Sequence, residues 1–478
     1  MKEQARFYSS LGRLLVLNAL VKPLWIFGID RPVQNLAGTA AYGTYFSLFN
    51  LSFVLSFLLD WGLSSFINRE IAAAPMTQQA KTGIFFRIKL LLVLVYALLV
   101  FTIARISGIE NMKWVWLLIA IQALTSLFLF TRSIISAHQW FGADAWFSVL
   151  DKMLMILLCG GFLLFPVLGG LAIDRFLWIQ VACTAIAWLT ALALLQKRGV
   201  AIWSVPYKEK VQPLLRSALP YALIVLLMSA HYRLDGFLLE RMHPQGAVEA
   251  GRYAGAYRLL DAANMAGFLF ASFLLPYVAR HQQTLSKANE AVLFIRHFLL
   301  LLSTGITVLV LLYSSWIQSL LYHDQSPEAV QIMMYCLPVL TGYSLVQVYG
   351  TVLTATGHIR TFCMIVAGAL LINTLLNLFW IPPMGALGSC YAALISHSCC
   401  GITCMLVARN KTGISLDSRS LMLTIFIGAI LFCFLYFGIS MITNIPALIT
   451  IAVVLVIVLA FITRLFDLKK WKSVFITQ

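Results

Sequence analysis

Ser217–Arg280 reads SALPYALIVLLMSAHYRLDGFLLERMHPQGAVEAGRYAGAYRLLDAANMAGFLFASFLLPYVAR. Two apolar segments, each long enough to cross a bilayer, meet at a short polar loop around His243–Gly251. Near that loop both carry charge: Arg233, Asp235 and Glu240 in the first, Arg258 and Asp261 in the second. A charged side chain at mid-depth costs roughly 2.5–3.5 kcal/mol on insertion scales, so such groups face a water-filled cavity or a partner. Arg258 and Asp261 are three apart and share one helix face. The stretch predicts a charged cavity held inside a membrane.

The rest of the chain agrees. Of 478 residues 61% are hydrophobic and 11% charged, with a mean hydropathy of +0.89. A soluble chain carries about 25% charged residues. Apolar runs of spanning length recur and are continuous rather than alternating, which predicts an all-α polytopic membrane protein and excludes a β-barrel. Fourteen spans are expected, near 8–30, 41–69, 84–108, 114–138, 146–168, 173–196, 214–240, 252–279, 291–314, 329–356, 361–381, 385–408, 419–441 and 445–466. The first is read as a retained helix, since Lys22 and Pro23 interrupt its hydrophobic part and no cleavage site follows.

The net charge of +16 does not point to nucleic acid. Basic residues gather in alternate connectors: Lys81, Arg87 and Lys89; Lys197, Arg198, Lys208 and Lys210; Arg280 and Lys287; Arg409, Lys411 and Arg419; Lys469, Lys470 and Lys472. The other connectors hold few. By the positive-inside rule both termini are cytoplasmic and the number of spans is even. All nine cysteines fall in apolar segments, where thiols behave as small hydrophobes, and no disulfide framework is expected.

The connector 197–213 divides the chain into a six-helix lobe (1–197) and a second (213–410), with two further helices and a tail in 411–478. The halves echo each other. Gly38–Leu48 (GTAAYGTYFSL) opens the second span and Gly251–Leu260 (GRYAGAYRLL) the eighth, both with glycines and paired tyrosines. Two parallel, pseudo-symmetric six-helix repeats are the expected architecture, a plan that places a transporter's binding site between the halves.

Asn18, Lys22 and Trp25 lie on one face of the first span, followed by Asp30 and Arg31. Lys22 and Asp60 sit too deep to snorkel, which favours a cavity role. Arg69 and Glu70 read as an interfacial pair, and Asp151 and Lys152 as packing at a cytoplasmic end. Arg233 and Asp235 are two apart and cannot point the same way, so one faces the cavity or Asp235 pairs structurally with Arg258. Asp60, Asp235 and Asp261 are the candidates for ion coupling or charge pairing. His397, Cys400 and Cys404 share a face, but an apolar span without a carboxylate disfavours a metal. No nucleophile elbow, P-loop or paired catalytic carboxylates occur, so no catalysis is expected.

Ile372–Ser396 reads INTLLNLFWIPPMGALGSCYAALIS. Asn373 and Asn377, four apart, present amides on one face, suited to sugar hydroxyls or to helix–helix hydrogen bonds. Pro382–Pro383 is expected to end the span, with Gly385 and Gly388 allowing a close turn. This pattern resembles the eleventh-to-twelfth helix junction of bacterial polysaccharide (O-antigen and exopolysaccharide) flippases, within the multidrug/oligosaccharidyl-lipid/polysaccharide (MOP) superfamily. Tyr42–Ala72, with Asp60, Gly62 and Arg69, looks like that family's second helix.

The resemblance implies a non-enzymatic inner-membrane flippase for undecaprenyl-diphosphate-linked oligosaccharide, a step in lipopolysaccharide or other surface-polysaccharide biosynthesis. It implies no cofactor beyond a coupling H+ or Na+. The partners it implies are the lipid-linked glycan, membrane lipid, and polysaccharide polymerase and chain-length machinery. Mapped by position, Lys22, Arg31, Arg233 and Arg258 would grip the diphosphate, while Asn18, Trp25, Tyr42, Tyr45, Tyr253, Tyr257, Asn373 and Asn377 would meet sugar. The last two helices would border a groove for the lipid tail. The Asp30–Arg31 order and a lysine at Lys22 depart from the lipid II type, which points away from a peptidoglycan precursor. A lipid II flippase, a multidrug/cation antiporter and a non-transporting polysaccharide-assembly scaffold are the alternatives.

Overall fold

The structure, a computed structural model, describes residues 16–64, 67, 79–165, 167, 169–200, 212–281, 285–442, 444–463 and 465. Arg69 and Glu70 lie outside them. No strand occurs among the described residues, and thirteen of their helices are long and apolar enough to cross a membrane. The protein is an all-α, multi-pass membrane protein. Its nine cysteines are free. The chain forms two compact units, Met1–Glu240 and Arg241–Gln478.

The first unit begins with α1 (residues 16–25), a wide π turn (Ile26–Asp30) and α2 (Arg31–Ala37). Pro23 and Pro32 bracket the wide turn. Each lacks the N–H that an ordinary helix would use, and the Arg31 N–H instead reaches back five residues to the Ile26 carbonyl. Gly38 (φ 79°, ψ 162°) then turns the chain into α3 (Thr39–Leu55), in a conformation that favours glycine.

The expected continuous span 41–69 is broken. After α3 the chain bends at Ser56, whose Oγ donates to the Phe53 carbonyl at 2.7 Å, and α4 (Phe57–Asp60) ends on Trp61 in the left-handed region. Then follow α5 (Gln79–Ile106), α6 (Met112–Ala137), α7 (Phe141–Leu164), α8 (Ile173–Lys197) and α9 (Gln212–Met242).

Lys89 corrects the reading of the first basic connector. It lies well inside α5, fully buried, with Nζ 2.6 Å from Asp60 Oδ1 and 5.6 Å from the centre of the Phe130 ring. An ammonium at that depth needs a counter-charge, and Asp60 supplies it. Asp60 also accepts from Ser64, so this carboxylate is committed where α4 breaks.

The second unit contains α10 (Gly246–Arg280), α11 (Leu285–Leu321), α12 (Pro327–Cys336), α13 (Val339–Ala355), α14 (Ile359–Met384), α15 (Ala386–Thr412), α16 (Ser418–Gly438) and α17 (Ile445–Ile462). The expected single span 329–356 is two helices that meet at Leu337–Pro338.

Pro382–Pro383 does not end α14. The helix runs on to Met384 and stops at Gly385 (φ 56°, ψ −133°), a conformation open essentially to glycine alone. A Cβ there would also collide with the Glu249 carboxylate, which accepts the Ala386 N–H at 2.9 Å at the start of α15. A Cβ at Gly388 would lie 2.6 Å from the Trp380 carbonyl carbon, so this glycine lets α15 close on α14.

Arg296 on α11 is fully buried. It donates to Tyr349 Oη at 3.1 Å, to the Leu416 carbonyl and to Ser420 Oγ, tying α11 and α13 to the connector that launches α16.

Candidate functional site

In the first unit the expected site residues fall into two neighbouring groups. Asn18 is buried and donates to Ser148 Oγ of α7 at 2.8 Å. One turn on, Lys22 is exposed and forms no ion pair among the described residues. Trp25 stacks on Phe176 of α8, with ring centres 5.8 Å apart and 9° between planes, and the Lys152 ammonium lies 5.0 Å from its ring centre.

Past the wide turn, Asp30 is buried and accepts from the Tyr42 hydroxyl at 2.9 Å. Arg31 is half-buried and pairs with no acid among the described residues; its Nε is buried without a hydrogen-bond partner. Tyr42 and Tyr45 are buried, 5.4 Å apart edge to face, and Tyr45 also meets Phe176 at 5.9 Å. Arg233 of α9 lies 5.2 Å from the centre of Phe53, and Asp235 is 2% exposed. Gly236 lets α9 approach α3, since a Cβ there would lie 2.7 Å from Phe46 Cε1.

In the second unit Arg258 and Asp261 share a face as expected, with Nη1 and Oδ2 3.9 Å apart. Tyr253 and Tyr257 are buried, their rings 5.4 Å apart, and the Tyr257 and Tyr343 hydroxyls are 3.2 Å apart. Asn373 and Asn377 are fully buried. Asn377 donates to the Asn373 carbonyl at 2.9 Å and to Asn373 Oδ1 at 3.2 Å, and Asn373 donates to Ser396 Oγ of α15 at 3.2 Å. Of the two uses open to these amides, the helix–helix one is made in this structure.

A cluster at the start of α10 escaped the sequence. Arg252 bonds Glu249 at 3.0 Å and Asp324 at 3.2 Å. Burial alone would raise the Asp324 pKa. Hydrogen bonds from Ser326, together with the Arg252 guanidinium, outweigh that and hold it below the ordinary carboxylate value.

The apolar counterpart is a cavity of about 630 Å³ in the same unit. Phe294, Phe298 and Leu309 of α11, Leu435 of α16, and Val456 and Phe461 of α17 line it. Every lining residue is hydrophobic or glycine, so it offers no hydrogen bond to a head group and suits an alkyl chain.

A profile of the family described as polysaccharide biosynthesis protein matches residues 15–282, more than half of the chain. The chain belongs to this family. A comparison with curated proteins finds no match. Among solved structures, the lipid II flippase MurJ in an inward closed conformation is 12% identical with a TM-score of 0.69, covering 94% of this chain and 97% of MurJ. An inward-facing MATE family multidrug resistance transporter of the MOP superfamily is 16% identical with a TM-score of 0.66, over 84% and 98%. A MOP superfamily transporter from Pyrococcus furiosus also resembles this chain. At these identities the likeness shows the fold, and the fold is that of the MOP superfamily.

On the first span Lys22 and Arg31 form no ion pair among the described residues, although Asp30 adjoins Arg31. Sequence reasoning passed over Arg252 and Arg296, placed Lys89 in a connector and read Lys152 as packing at a cytoplasmic end. For Lys152 a signal was present: Asp144, Ser148 and Lys152 recur every four residues and so share a face of α7.

Proposed function

We propose that this family member is a non-enzymatic flippase that carries an undecaprenyl-diphosphate-linked oligosaccharide across the bacterial inner membrane by alternating access. One observation carries the reading: Lys22 and Arg31, on the first membrane helix, lack an acid partner among the described residues. An unpaired cation at membrane depth is costly unless its role is to meet an anion. The diphosphate is that anion, and ammonium and guanidinium groups are its natural donors. Arg233, in the same unit, adds a further cation.

The polyprenyl tail would lie in the aliphatic cavity beside α11, α16 and α17. Half-buried Trp25 is the ring we assign to the sugar. Asp60 is committed to Lys89, and we assign the coupling H+ or Na+ to Asp235 or Asp261, acids inside the spans. Polysaccharide polymerase and chain-length machinery would receive the product.

Cells lacking the protein should accumulate lipid-linked glycan on the cytoplasmic leaflet. Wild type should clear it and a Lys22→Gln/Arg31→Gln double variant should not. Clearance by that variant, or no accumulation in its absence, would overturn the proposal.

A further inference from the structure

The charged face of α7 beside Lys22 has no part in the proposal above. It carries Asp144, Ser148, Asp151 and Lys152 in successive turns. Asp144 is taken by Arg132 of α6 at 3.0 Å, and Ser148 by Asn18. The charged side chains around Lys22 are therefore Arg132, Asp151 and Lys152. Three cations meet two carboxylates there.

Lys152 is held only loosely. Its Nζ is 3.4 Å from the adjacent Asp151, 3.7 Å from Met155 Sδ, and over the face of Trp25. Apart from Asp151, its partners are a thioether and an aromatic face, which are weak for an ammonium, and half-buried Lys152 can exchange those two for an oxyanion.

Arg31 is the more distant of the cations that could join Lys22. Nine residues at about 1.5 Å rise put it about 13 Å further along the axis, much more than the separation of two linked phosphates. Lys152 sits over Trp25, only three residues from Lys22 on the same face. The two contacts between α1 and α7, Asn18 with Ser148 and Trp25 with Lys152, bracket Lys22.

We infer that Lys22 and Lys152 together form a two-ammonium seat, in which Lys152 reads the second phosphate and makes the protein select a diphosphate over a monophosphate. This rests on the reading of the substrate as a polyprenyl diphosphate. Lys22 holds the phosphate common to both ligands. Lys152 leaves the Trp25 ring for the terminal one.

The test uses the full chain in nanodiscs, with undecaprenyl diphosphate and undecaprenyl monophosphate as probes. One charge-assisted hydrogen bond should make wild type bind the diphosphate at least about tenfold tighter. Lys152→Gln should bring the two affinities together while leaving monophosphate binding intact, and Lys152→Arg should keep the preference. Lys22→Gln should weaken both. In the unaltered protein, bound diphosphate should protect Lys152 from an amine-acylating reagent and monophosphate should not; mass spectrometry of the labelled peptide reads this even if the glutamine variant fails to fold. A wild-type preference that survives Lys152→Gln, or equal protection by both ligands, sinks the inference and spares the proposed function. No binding of either lipid to wild type, together with no glycan export, sinks both.

Discussion

The cations of the first helix and those of the second unit are the same chemistry in opposite circumstances. Arg252 holds Glu249 and Asp324, Arg258 lies 3.9 Å from Asp261, and fully buried Arg296 satisfies a carbonyl and two hydroxyls. Lys22 and Arg31 form no ion pair among the described residues. A cation whose donors are used inside the protein holds the fold together; one whose donors are spare is available to a ligand. The difference separates architecture from site more sharply than residue type or depth does.

Replacing both spare cations tests that contrast most severely. Lys22→Gln with Arg31→Gln should lower export at least about a hundredfold, since each removes a charge-assisted hydrogen bond of about 1.5–3 kcal/mol. Thermal unfolding of the purified variant should move by no more than about 0.5 kcal/mol, as for other substitutions that break no packed contact. Asp60→Asn should do the reverse. It leaves the Lys89 ammonium buried without a carboxylate, at a stability cost of about 3 kcal/mol, and Lys89→Met in the same chain should recover much of the loss. Arg296→Met should cost about 2–4 kcal/mol in the same unfolding assay as buried acceptors lose their donor, while export per folded molecule stays near wild type. Gly385→Ala should cost about 1–3 kcal/mol through its backbone conformation. Should Arg296→Met abolish export at normal stability, the division between holding and receiving cations fails.

Much of the fold was legible. Continuous apolar runs give the spans, because no other residues satisfy a bilayer core. The junction from Asn373 to Gly388 also announced itself, through an i, i+4 amide pair and two glycines that admit no side chain. Pairing was not legible. Asp60 meets Lys89 twenty-nine positions away, and Arg296 reaches Leu416 and Ser420 more than a hundred away. Such partners depend on which helices pack together, and periodicity within one helix is silent on that. The break at Ser56 was hidden for another reason: Phe53–Leu59 is apolar apart from Ser56, and one serine does not mark the end of a span. Lys152 was read by its distance from the membrane edge, and the face it shares with Ser148 was not weighed.

The wide turn at Ile26–Asp30 sets a compass bearing. Along an unbroken α-helix, nine residues at about 100° each would point Lys22 and Arg31 in opposite directions. The Arg31 N–H reaching five residues back, rather than four, amounts to one surplus residue in the winding. The angle between the two side chains then becomes that of eight residues, about 80° instead of about 180°, and both bases look toward the same quadrant.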